Sequence, residues 1–202
     1  ELGGVWDLER FDAICDWADS HDLPVFLDGA RLGSALTSPA AGGLTLEHIA
    51  ARCGAFYLGG TKNGMLFGEA MVIVNDALKP GFRRAMKRSG AMLAKGRLLG
   101  VQFAAALEQD LWLDMGRHAN TQAQRIAAAL SNLGVPMYVP SPTNQIFPIL
   151  PDDQIARLQE RVAFHTNTRV DETHQAVRFV TSWATTDAQV DALLAVLNEV
   201  LG

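Results

Sequence analysis

Between Asp7 and Ser20 the apolar side chains fall at Leu8, Phe11, Ile14, Cys15 and Ala18, a spacing that lines them up along one side of a helix. Leu23 to Leu27 then reads as a buried strand, which stops abruptly at Asp28-Gly29-Ala30-Arg31. After an Ala/Gly-rich loop, Thr45 is placed to cap a helix from Leu46 to Arg52; short strands are expected at Ala55–Leu58 and Ala70–Val74, the latter turned by Asn75-Asp76. From Pro80 to Leu133 the period is helical almost throughout, with Gly90, Gly96, Gly100 and Gly116 as soft points, and this part reads as a lid or bridge. Beyond Gly134, strands are expected at Met137–Val139, Gln145–Leu150 and Val177–Trp183, with a helix at Asp153–Arg161. A capping box, Thr186-x-x-Gln189, opens a last helix with Val190, Leu193, Leu194, Leu197 and Val200 on one face. The pattern predicts an α/β part over residues 1–133, followed by a smaller α+β unit over residues 134–202.

The chain has 202 residues, enough to bury a real core, and its net charge of -5 gives no electrostatic reason to expect nucleic acid or an anionic membrane. A small-molecule substrate is the better expectation. Cys15 and Cys53 stand in no metal-ligand or redox spacing and read as buried free thiols of a reducing compartment. No stretch approaches the ~20 apolar residues of a membrane span, so the cytoplasm is the expected location. Glu1-Leu2-Gly3-Gly4 reads as the tail of a strand and a loop, as though this were the latter part of something longer.

In an open α/β sheet, ligands sit beyond the carboxyl ends of strands, and the chain places charge at two such ends. The first carries Asp28 with Arg31, which could equally form a structural ion pair closing the strand. The second carries Lys62 in Tyr57-Leu58-Gly59-Gly60-Thr61-Lys62-Asn63-Gly64-Met65-Leu66-Phe67-Gly68, where four glycines permit positive φ and close backbone approach. The order of a phosphate-binding P-loop is absent. A lysine desolvated near other cations can attack a carbonyl as the free amine, which points to a Schiff base. Such a lysine, with an aspartate able to hold a pyridinium nitrogen, is what pyridoxal phosphate chemistry requires of a protein.

The runs FLDGARL, YLGGTKNGMLFGEA and VRFVTSWATT resemble, in order and spacing, the threonine aldolase and β-eliminating lyase family of fold-type-I pyridoxal phosphate enzymes. The resemblance covers this whole chain and the C-terminal part, rather more than half, of a typical member. It implies a large α/β domain with a mostly parallel sheet and a small α+β domain. It further implies that Asp28 pairs with the pyridine nitrogen of pyridoxal 5'-phosphate, that Arg31 lies beside the ring's 3-oxygen and that Lys62 forms the Schiff base. Arg178 matches the position that binds the substrate carboxylate, a task suited to a guanidinium. The segment KRSGAMLAKGRLLG stands where many threonine aldolases carry a glycine-rich run, and departs from it; its Lys87, Arg88, Lys95 and Arg97 receive no assigned role. His118, His165 and His174 lie outside the three runs and are read as structural or surface groups.

Family members stack an aromatic side chain on the ring and bind its phosphate through a loop, both N-terminal to the region matched here, so this stretch by itself is expected to bind the cofactor poorly. The expected reaction is cleavage of a β-hydroxy-α-amino acid, of the threonine, allo-threonine or phenylserine kind, to glycine and an aldehyde, in a homodimer or homotetramer. Two alternatives stay open: β-elimination or transamination on the same cofactor, and an inactive fragment that mainly builds an oligomer interface.

Overall fold

Asp7 accepts a hydrogen bond from the Arg10 N–H at 2.9 Å and so starts α1 (Leu8–Asp19). The computed structural model describes residues 2–202; residues 2–6 form no strand, and Glu1 lies outside the described residues. The apolar stripe of α1 is narrower than its sequence implies: Phe11, Cys15 and Ala18 are buried, whereas Ile14 is 37% exposed. A short helix α2 (Leu32–Leu36) follows the first strand, and α3 (Leu46–Arg52) begins where expected, its cap Thr45 accepting from the His48 N–H. Arg52 of α3 reaches across to Asp12, Asp16 and Asp19 of α1, and His48 Nε2 lies 2.6 Å from Asp12.

The sheet of this part has the order β1 (Phe26–Leu27), β2 (Ala55–Gly59), β3 (Glu69–Ile73). β1 and β2 are parallel, with Phe26 opposite Ala55 and Leu27 opposite Phe56, whereas β2 and β3 are antiparallel. The expected buried strand over Leu23–Leu27 is thus only two residues long, and Leu23 and Phe26 are 50% and 57% exposed. Pro24 has no N–H to offer a ladder, and among the described residues β1 pairs with β2 on one side.

The helical stretch resolves into α4 (Phe82–Arg88), α5 (Arg97–Glu108) and α6 (Leu111–Asn132). Its breaks fall at residues 89–96, around the left-handed Gly90, and at the left-handed Asp110, while Gly100 and Gly116 stay inside helices. Ile49, Phe56, Leu58, Phe103 and Trp112 centre the core of this first unit, which spans Trp6–Met115. Buried Cys15 and Cys53 are free thiols within it; burial pushes the Cys53 thiol up to about 11.

The second unit takes in Gly116–Gly202 and the residues up to Val5. The division falls inside α6, at Met115–Gly116, rather than after Leu133, because Ala123, Ile126 and Leu130 of that helix pack into the second core. In its antiparallel sheet β7 (His174–Val180) is paired with β4 (Gln145–Ile146), β5 (Ile149–Pro151) and β6 (His165–Arg169). The single strand expected over Gln145–Leu150 is therefore split in two, and the one at Met137–Val139 reduces to a bridge between Met137 and Pro148. Helix α7 (Asp152–Gln159) and α8 (Asp187–Leu201) complete the unit, and the Thr186/Gln189 capping box forms in full. Among the described residues no helix is long and apolar enough to cross a membrane, and no group of three or more His, Cys, Asp or Glu could hold a metal ion.

Candidate active site

The parallel register that sets Leu27 beside Phe56 brings the next residues, Asp28 and Tyr57, side by side at the carboxyl end of β1. The approach depends on Gly29, since a Cβ there would lie 1.6 Å from the Tyr57 carbonyl oxygen. Asp28 is exposed, and its Oδ1 accepts hydrogen bonds from the Tyr57 hydroxyl and, at 3.0 Å, from the Ala30 N–H. The phenol's hydrogen bond, the Ala30 N–H and the nearby positive charge of Lys62 hold the carboxyl below its usual range. Burial and the Asp28 carboxylate push the Tyr57 phenol up to about 12, so it remains a donor throughout the neutral range. The two hydrogen bonds on Asp28 come from Tyr57 and Ala30 and not from Arg31, so the alternative of a strand-closing ion pair between Asp28 and Arg31 is not what forms. Arg31 itself stands at the N-cap of α2.

Lys62 follows β2 in a turn that is tied down on every side. The Gly60 N–H donates to Glu69 Oε2 at 2.7 Å, the Gly68 N–H to Thr61 Oγ1 at 3.1 Å, and the Leu66 N–H to Gln102 Oε1 at 2.6 Å. Asn63, only 5% exposed, donates through Nδ2 to the Trp112 carbonyl at 2.7 Å, and the fully buried Trp112 returns a bond from Nε1 to the Gly59 carbonyl at 2.9 Å. The glycines serve two purposes. Gly64 and Gly68 take φ of 92° and 93°, whereas Gly59 and Gly60 permit close approach, a Cβ on either lying 2.4 Å from a backbone oxygen. Lys62 is exposed among the described residues; of the neighbouring apolar side chains Met65 turns into the core, while Leu66 and Phe67 stay on the surface.

Asp28, Arg31 and Lys62 thus belong to one unit, with Asp28 and Lys62 close enough for their charges to act on each other. Arg178 belongs to the other unit, on β7 opposite His165, where its buried Nε has no hydrogen-bond partner. A buried donor of this kind is unusual and suits an anionic oxygen. A cavity of about 590 Å³ between α4 and α5 is lined by Arg83 and Lys87 of α4 and by apolar residues such as Met86, Met92 and Leu99. His118 Nε2 lies 2.7 Å from the Thr185 carbonyl oxygen, and His174 Nδ1 lies 3.1 Å from Asp171, both structural contacts.

Tyr57, Glu69, Asn63 and Trp112, which bond to Asp28 or to the lysine turn, are the residues of the candidate site that pattern reading missed. A tyrosine inside an apolar strand was a visible signal; the link from Asn63 to Trp112, far along the chain, was not.

Against known proteins, the family described as Beta-eliminating lyase matches residues 1–152. A low specificity L-threonine aldolase of Pseudomonas aeruginosa is 30% identical over the whole of this chain, which spans 58% of that protein. The solved threonine aldolase of Leishmania major is 39% identical, with a TM-score of 0.97, covering all of this chain and 59% of the other. The serine palmitoyltransferase of Sphingomonas wittichii, 12% identical, shares the fold alone at a TM-score of 0.63, over 93% of this chain and 49% of its own. The chain thus spans less than two thirds of the relatives it matches. With its two strand-end charges, its lysine turn and these likenesses, it has the fold of the type-I pyridoxal phosphate enzymes and belongs to the beta-eliminating lyase family.

Proposed function

We propose that the protein uses pyridoxal 5'-phosphate to cleave a β-hydroxy-α-amino acid, of the L-threonine, allo-threonine or phenylserine type, into glycine and an aldehyde. The observation that carries this reading is the pairing of strand ends: an ionised Asp28 at one, and the amine of Lys62 at the next, near enough to lower the carboxyl's pKa. This donor set fits the cofactor, because an anionic oxygen suits a protonated ring nitrogen and a primary amine suits an aldehyde. When bound, the cofactor supplies the electron sink that makes a carbanion at the substrate's α-carbon accessible.

In this reading Asp28 would hold the protonated ring nitrogen, and Arg31 would lie beside the ring's 3-oxygen. Lys62 would hold the cofactor through its Nζ, the primary amine suited to the cofactor's aldehyde. Arg178 accepts the substrate carboxylate at its open Nε. The β-hydroxyl loses its proton as the Cα–Cβ bond breaks and the aldehyde departs; a proton returned to the α-carbon completes glycine. The names of the Pseudomonas and Leishmania relatives favour this aldol cleavage, while the family description favours β-elimination as the competing reaction.

The test uses the full-length protein that carries this chain. Addition of pyridoxal phosphate is expected to produce a visible absorption band, and borohydride to fix the cofactor on the Lys62 peptide. A band that Lys62→Ala retains and borohydride still fixes would refute the lysine's role. With threonine the expected products are acetaldehyde and glycine; pyruvate from serine without glycine from threonine would make the protein an eliminase.

A further inference from the structure

Both hydrogen bonds that the structure gives Asp28 fall on one of its two oxygens. Oδ1 receives the Tyr57 hydroxyl and the Ala30 N–H, and Oδ2 receives neither. Two donors converging on one oxygen from different directions fix the plane of a carboxylate and leave the other oxygen's lone pairs in a defined direction. The Ala30 N–H is a local bond, two residues along the same turn. The Tyr57 bond comes from the neighbouring strand, 29 residues later, and so ties the end of β1 to β2.

Tyr57 is itself well held. Its backbone sits in the middle of β2, paired with Met71 of β3, and its ring lies 6.1 Å from the ring of Phe26. The end of β1 comes close enough for this hydroxyl because residue 29 has no side chain to strike the Tyr57 carbonyl. A tyrosine serving only the strand would leave its hydroxyl in solvent or on a backbone group; this one points to an exposed carboxylate.

Resting on the cofactor reading above, we propose that Tyr57 is the positioning residue for Asp28, clamping Oδ1 so that Oδ2 alone is presented to the protonated ring nitrogen. The phenol is never deprotonated in this role. It donates its hydrogen without transferring it, and the charged groups acting on this phenol and carboxylate include each other, Lys62 and Glu69. Two consequences follow for Asp28. Its direction is set before the cofactor arrives, and its negative charge is partly shared with the phenol, which makes it a weaker base than a carboxylate held by backbone alone.

The experiment compares Tyr57→Phe, Asp28→Asn and the double variant in the full-length protein, with melting curves to confirm folding. Without cofactor, carboxyl-carbon NMR follows the Asp28 titration; Tyr57→Phe is expected to raise its midpoint by about one pH unit, as loss of one hydrogen bond to the charged form requires. With pyridoxal phosphate, the visible-band titration is expected to show about tenfold weaker binding for Tyr57→Phe, the scale of one charge-assisted hydrogen bond. In the Asp28→Asn background the same change is expected to cost nothing more, because the phenol acts through that carboxylate. If Tyr57→Phe fails to fold, 3-fluorotyrosine at position 57 keeps the ring and makes the phenol a stronger donor, and the Asp28 midpoint should then fall. An unchanged Asp28 midpoint, or a binding loss that persists undiminished beside Asp28→Asn, overturns the role of Tyr57. Absence of any band in the unmodified protein overturns the cofactor reading and this role with it, whereas a band unaffected by Tyr57→Phe overturns this role alone.

Discussion

At the turn between β6 and β7, Asp171 accepts hydrogen bonds from the backbone N–H groups of Thr173 and His174, both at 2.8 Å, and lies 3.1 Å from His174 Nδ1. The Thr173 N–H first, then the His174 ring, bring its carboxyl down to about 2 from an ordinary 3.8. Because the folded-state value is the lower one, this anchor is in full force above the ordinary value and is lost as pH falls through about 2. Amide hydrogen exchange in the β6–β7 hairpin is expected to speed up across that window, and Asp171→Asn should remove the pH dependence there. The same scale explains what the sequence disclosed of the site. Asp28 and Lys62 were legible because a charge that ends a strand stands out from its neighbours. The partner of Tyr57 was not, because it depends on which residue of β1 lies beside which residue of β2, and spacing along one chain does not carry that register.

Elements add a second kind of information, since the lysine turn is held by a residue that starts a helix. Removing the Asn63 side chain leaves the Trp112 carbonyl buried without its donor, at a cost of about 1–3 kcal/mol. Urea denaturation of Asn63→Ala should show that loss, and borohydride trapping at Lys62 should slow as the turn loosens. Trp112→Phe, which takes the indole N–H from the Gly59 carbonyl, should act in the same direction. Helices with a cap and an apolar stripe, such as α3 and α8, were read within a residue or two, because cap and period are local. The strand β6, His-Thr-Asn-Thr-Arg, has no apolar residue and is mostly exposed; it exists because β7 offers it a ladder, and no local pattern announces that. β1 fell short in length: Pro24 has no N–H for a ladder, and the pairing covers only Phe26 and Leu27.

At the scale of the whole molecule the described residues form two cores, one around Ile49, Phe56 and Trp112 and the other around Leu130, Leu158 and Leu197. Ile49 and Leu158 are fully buried in separate clusters, so Ile49→Ala and Leu158→Ala should each cost about 2–5 kcal/mol. Their losses should add in the double variant, because the two side chains share no core neighbours; urea unfolding of the three variants checks this. The change from alternating β/α to a small α+β unit was visible in the sequence. The position of the division inside α6 was not, since a continuous helical period gives no sign of which core each turn serves. Asp12, Asp16 and Asp19 bear on the stability of the fold. They put like charges on neighbouring turns of α1, and such pairs cost an isolated helix a few tenths of a kcal/mol each until Arg52 and His48 come to meet them. Helix α1 therefore owes part of its stability in the folded chain to α3, a helix that lies beyond β1 and α2 in the sequence.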